Sequence, residues 1–103
     1  MSFVFSLVSD EGGPAATVFK DSTSSGCVPV WEEAGVYDAL YNSDGRTARE
    51  VSRIIAFGVD RLNEDPKLAR LLPSTVSLAE AIRFLENVLR ACTIHASALV
   101  ETR

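Results

Sequence analysis

Cys92 and His95 stand three residues apart in Leu89–Val100, LRACTIHASALV, a stretch that holds the chain's only histidine and one of its two cysteines. On a helix that spacing puts thiol and imidazole on one side, as a zinc site or a thiolate nucleophile would require. A zinc site needs three or four ligands. The other thiol, Cys27, is 65 residues away, with no CxxC and no Cys/His cluster around either cysteine. A catalytic thiolate needs an accessible, activated position, whereas Cys92 falls inside an apolar helical stripe. Cys92 is therefore expected to fill a core, and His95, at the edge of the stripe, to serve structure or touch a partner.

Other reactive groups are equally sparse. Ser22–Cys27, STSSGC, forms neither a nucleophile elbow nor a phosphate loop. Gly12 and Gly13 lack a third glycine and a following helix start. Glu32 and Glu33 are adjacent, so on a helix they diverge, and acid–base work would need a second carboxylate from elsewhere. Near a helix start they simply complement the dipole. Arg46, Arg49 and Arg53 recur at steps of three and four and line one face near a helix N-terminus. Guanidinium groups and helix-end amides together favour anions, so this trio is the best candidate for a small anionic ligand or phosphate. The competing expectation is ion pairing with the acidic first half, or with Glu50 and Asp60. Trp31, Tyr37 and Tyr41 come from one short acidic segment and are candidates for partner contact, against the alternative that they cover the core. No catalytic residue, metal ligand or cofactor is assigned.

The elements that would position these residues follow from patterning. Ser2–Ser9, SFVFSLVS, alternates Phe3, Phe5 and Leu7 with its neighbours and ends at Asp10-Glu11-Gly12-Gly13-Pro14, which predicts a strand and a turn. Ala16–Lys20 can return as a second strand. Asp21–Gly26, DSTSSG, has a linker composition. A short helix is expected from about Pro29 to Tyr41, weakened by Gly35, with a strand over Cys27–Trp31 as the alternative. Thr47 and Glu50 form a T-x-x-E capping box. Behind it Val51, Ile55, Gly58 and Leu62 make one stripe, with Ile54 and Val59 flanking. Gly58 in mid-helix implies close approach of another backbone. Asn63-Glu64-Asp65-Pro66 ends that helix, and Asp65-Pro66 can cap a short turn before Pro73. Ser77 and Glu80 form a second box. Leu78, Ile82, Leu85, Leu89, Cys92, Ala96 and Leu99 then run without a miss, so the last helix is expected from Leu78 to about Glu101, ~35 Å long.

Composition sets the class. The chain has 103 residues, 47% of them hydrophobic, enough for one small domain spanning 1–103. Residues 1–45 hold seven acids against Lys20, a net of −6, and residues 46–103 hold nine bases against seven acids, a net of +2. That balance disfavours nucleic acid and anionic membranes as partners. The short apolar N-terminus lacks a basic region and is too short to span a bilayer, so a cytoplasmic protein with reduced thiols is expected.

The expected fold is α+β: an N-terminal β-hairpin or paired strands packed on three main helices, with a mostly α assembly as the alternative. The expected function is a non-enzymatic protein-interaction module of the small adaptor or inhibitor type. It is expected to self-associate as a homodimer through the long terminal helix at Leu85 and Leu89, whose apolar length exceeds what a small core readily covers. Anion binding by the arginine face is the alternative, and an enzyme of unassigned chemistry the third reading.

Overall fold

A computed structural model describes residues 2–9 and 13–102 of the chain. The fold is α+β. Three antiparallel strands, β1 (Ser2–Ser9), β2 (Ala16–Ser24) and β3 (Leu99–Thr102), lie in the order β2-β1-β3. Helices α1 (Val28–Ala34), α2 (Tyr37–Tyr41), α3 (Ala48–Glu64) and α4 (Leu78–Ile94) pack against one face of that sheet and against each other, with 3₁₀ turns at Ser25–Cys27 and Pro66–Leu71.

The alternation in β1 sends Phe3, Phe5 and Leu7 into the core. Asp10, Glu11 and Gly12 of the expected turn lie outside the described residues. β2 is longer than its composition suggests. Asp21, Thr23 and Ser24, expected in a linker, pair in register with Phe5, Phe3 and Ser2. A strand's length is set by its partner, and the edge of a sheet tolerates polar residues because it is half solvated. Asp21 also ties the strand to α4, accepting a hydrogen bond from Asn87 Nδ2 at 3.3 Å.

The helix expected over Pro29–Tyr41 is two helices. Gly35 stops α1 in the left-handed region at φ 80°, and Val36 N–H donates to the Trp31 carbonyl at 2.9 Å, a glycine C-cap of the kind that turns a chain sharply. The turn drives Val36 into α3 at Gly58. A Cβ built on Gly58 would lie 2.2 Å from Val36 Cγ1, so the glycine's propensity cost of about 1 kcal/mol is offset by the approach it permits. Gly58→Ala should therefore destabilise, because overpacking of about 1–3 kcal/mol outweighs the helix gain. Combining it with Val36→Ala should recover part of the loss in a denaturant double-mutant cycle, whereas strict additivity would disprove the contact.

Both predicted N-caps form, but only Ser77–Glu80 closes the reciprocal box, with Ser77 N–H donating back to Glu80 Oε1. Thr47 Oγ1 accepts from Glu50 N–H at 3.4 Å, and Ser77 Oγ accepts from Glu80 N–H at 3.1 Å. The expected terminal helix is shorter than its stripe. It ends at Ile94, about 26 Å from its start, and residues 95–98 reverse the chain into β3. Leu99 continues the helical spacing but lies exposed, while Val100 enters the core. The strand wins because the edge of β1 away from β2 would otherwise stay unpaired.

The far edge of β3 is closed in turn. Gly45 N–H donates to Val100 O, Val100 N–H donates to Arg46 O, and Thr47 bridges Leu99. The Thr102 N–H and Oγ1–H both donate to the Asp44 carboxylate at 2.7 Å. These bonds hold the Asp44 carboxyl below the usual carboxylate range. A depressed folded value stabilises above the unfolded pKa, near 3.9, and the contribution is lost as pH falls through the folded value. The protection of the Thr102 amide, its exchange rate relative to the intrinsic rate at the same pH, should fall as pH drops through the depressed Asp44 value and should be lower in Asp44→Ala at neutral pH. Unchanged exchange in the variant would show that the clasp holds nothing.

Candidate functional site

The core claims most of the residues singled out by sequence. Leu85 is fully buried, and Leu89 is half-buried and packed against the same core. Leu85 therefore has no free surface within the chain, and Leu89 has only part of one. The unbroken apolar spacing is explained by α3 on one side of α4 and the sheet on the other. Trp31 is also fully buried, 5.9 Å from the Phe84 ring, and Tyr37 and Tyr41 are half-buried and stacked at 4.9 Å. Phe3 covers Tyr41 at 4.0 Å. The aromatic trio therefore joins sheet to helices, and Trp31 offers a partner nothing.

Cys27 and Cys92 are buried free thiols. Burial pushes Cys92 up to about 12 and raises Cys27, with the Thr23 hydroxyl acting in the opposite sense. His95 caps the end of α4, donating its N–H to Ala91 O at 2.8 Å, and stays half-buried. No hydrogen bond joins it to Cys92 among the described residues, nor does any group of three or more His, Cys, Asp and Glu side chains there have metal-holding geometry. A thiol reagent should find no rapidly reacting cysteine in the native protein at pH 8 and two after denaturation. One fast native thiol would contradict the burial.

The arginines are exposed, but they do not line one common depression. Arg46 lines a depression with Asp38 and Glu50, Arg49 lines another with His95, and Arg53 lines neither. The helix-end amides that an anion would use are already engaged. Ala48 N–H donates to Ala98 O at 2.8 Å, Arg49 N–H to Ala96 O at 3.0 Å, and Glu50 N–H to Thr47. The turn that replaces the end of the expected long helix thus occupies the donors on which half of the anion argument rested.

What remains outward is the far face of α3. Ala48, Val51, Ile55, Gly58, Val59 and Leu62 face the core. On the other side Glu50, Ile54, Phe57 and Arg61 are all exposed, at steps of four, three and four. At 100° per residue they share a sector roughly 60° wide. Phe57 is 74% exposed and Ile54 38%. Burying a phenylalanine is worth about 1.5–3 kcal/mol, and this one lies on a rigid helix and forgoes it. Val18, Ile94 and Leu99 are also exposed, but they are single side chains on three different elements, which is ordinary for a surface.

Two open depressions flank the Ile54–Phe57 pair. One, of about 310 Å³, is lined by Asp38, Ala39, Arg46, Glu50 and Ile54. The other, of about 490 Å³, is lined by Glu33, Gly35, Phe57, Asp60, Arg61 and Glu64. Arg61 Nη2 lies 3.7 Å from Glu33 Oε1, with both side chains about half exposed, a pair worth little in water. The sequence did carry a sign of this surface: Phe57 is two residues from Ile55, hence on the side opposite the core stripe.

Among the described residues no helix is long and apolar enough to cross a membrane. Comparison with protein-family models, curated proteins and solved structures finds nothing that matches the chain.

Proposed function

We propose that the protein is a non-enzymatic interaction module whose working surface is the outward face of α3, rather than α4. The observation that carries this reading is Phe57, a large aromatic left in solvent beside Ile54 on a helix whose opposite face is held by the core. Aromatic side chains projecting from a rigid element are typical anchors of protein interfaces. The charged rim of Glu33, Asp38, Glu50, Asp60, Arg46 and Arg61 supplies the polar border that such anchors usually have. Anion binding has less support, since the backbone donors at the start of α3 are engaged.

A photo-crosslinking residue at position 57, with one at the exposed position 83 of α4 as control, tests the surface in cells making the protein. The reading expects an adduct of discrete mass from position 57 and none from 83. No adduct at 57, or equal labelling at both, would overturn it.

A further inference from the structure

We propose that the occupant of the α3 face is a second copy of this chain, bound antiparallel about a twofold axis that passes between Ile54 and Phe57. This rests on the interaction-module reading and names its partner. The stripe Glu50, Ile54, Phe57, Arg61 reads the same in both directions in its spacing, with apolar residues at the centre and opposite charges at the ends. In an antiparallel pair, Ile54 of one copy lies beside Phe57 of the other, and Glu50 beside Arg61. Each contact occurs twice, as an isologous interface requires. The steps of four and three are those of two helices packed side by side.

The other arrangements are penalised. A parallel pair sets Glu50 against Glu50 and Arg61 against Arg61. An antiparallel pair centred on Phe57 sets Glu50 against Glu64 and Arg53 against Arg61. One centred on Ile54 places Phe57 opposite Val51, which is buried within each copy. Like charges placed opposite each other suppress association, so one register is selected.

Access is open as well. Gly35 and Ala39 line the flanking depressions with little bulk, so a helix can approach closely. Among the described residues Arg61 is held by the half-exposed Glu33 alone, and the Glu50 carboxylate accepts from Thr47 Oγ1 at 3.1 Å on the surface. Neither contact is costly to exchange. The stripe from Glu50 to Arg61 spans only ~16 Å, so the pair belongs among small, reversible interfaces, and its charged ends make it weaken with salt.

Sedimentation equilibrium of charge-reversed variants tests the register. Glu50→Arg and Arg61→Glu should each self-associate at least about tenfold more weakly than the parent chain. Mixing the two should restore association, because every Glu–Arg pair is regained between unlike chains. The double variant Glu50→Arg/Arg61→Glu should restore it within one chain. Circular dichroism confirms folding of each. A parent chain that stays monomeric at all concentrations would overturn the second copy as occupant, while a position-57 adduct to a different protein would leave the module reading standing. Association that is indifferent to the reversals, or a mixture that stays monomeric, would overturn the register.

Discussion

Leu85→Glu should abolish folding, whereas Phe57→Glu should leave stability within about 0.5 kcal/mol of the parent. Leu85 is fully enclosed between α3 and the sheet. Removing a buried leucine side chain costs about 2–5 kcal/mol. The carboxylate that replaces it must either stay charged without a partner or take up a proton, at a further cost of several kcal/mol. Domains of this size are stable by only about 5–15 kcal/mol, so the two costs together exhaust the margin. Far-ultraviolet circular dichroism of the two variants checks both halves. A folded Leu85→Glu protein would mean that α4 turns its stripe outward after all, and a collapsed Phe57→Glu protein would mean that Phe57 belongs to the core.

Trp31→Ala should be the most damaging truncation that still leaves a folded protein. Trp31 is the largest fully buried side chain and packs against Phe84. Its loss should cost about 3–5 kcal/mol and lower the thermal midpoint by roughly 12–40 °C. Trp31→Phe should cost much less than the lost volume implies. The Trp31 Nε1–H is buried without a hydrogen-bond partner, and an orphaned donor costs about 1–3 kcal/mol that phenylalanine does not incur. Thermal unfolding of the two variants checks the pair. Equal losses would show that the indole N–H is satisfied.

These expectations separate what one stripe of sequence can say from what it cannot. Local signals were legible where chemistry acts within a few residues. The Thr47–Glu50 and Ser77–Glu80 caps, the Phe3-Phe5-Leu7 alternation and the stop at Asp65-Pro66 depend only on neighbours, and each forms. Long-range choices were not legible. Leu99 satisfies the helical period as well as Leu85 does, and only the open edge of β1 takes it into a strand. Asp21–Ser24 has a loop composition and becomes strand because β1 has residues left to pair. Gly35 was visible as a weakness, but the break it makes follows from Val36 having a slot at Gly58.

The site was obscured for the same reason. Leu78 to Leu99 promised more apolar surface than a small core needs, and the promise assumed a helix that runs to Glu101. Once the chain turns at residues 95–98, the stripe is consumed from both sides, and the same turn accepts from the Ala48 and Arg49 amides. The surface that remains was marked by an absence of pattern: Phe57 belongs to no core stripe, and a large aromatic without one has to be explained by something other than folding.

The central claim, that α3 rather than α4 or the sheet carries recognition between two copies of this chain, is tested most directly by backbone amide chemical shifts followed through a dilution series. Shifts confined to Glu50–Arg61 and the facing residues around Gly35 and Ala39, reduced by added salt, are the predicted result. Shifts on the β2 edge or around Ile94 and Leu99 instead, or a spectrum that does not change with concentration, would contradict it.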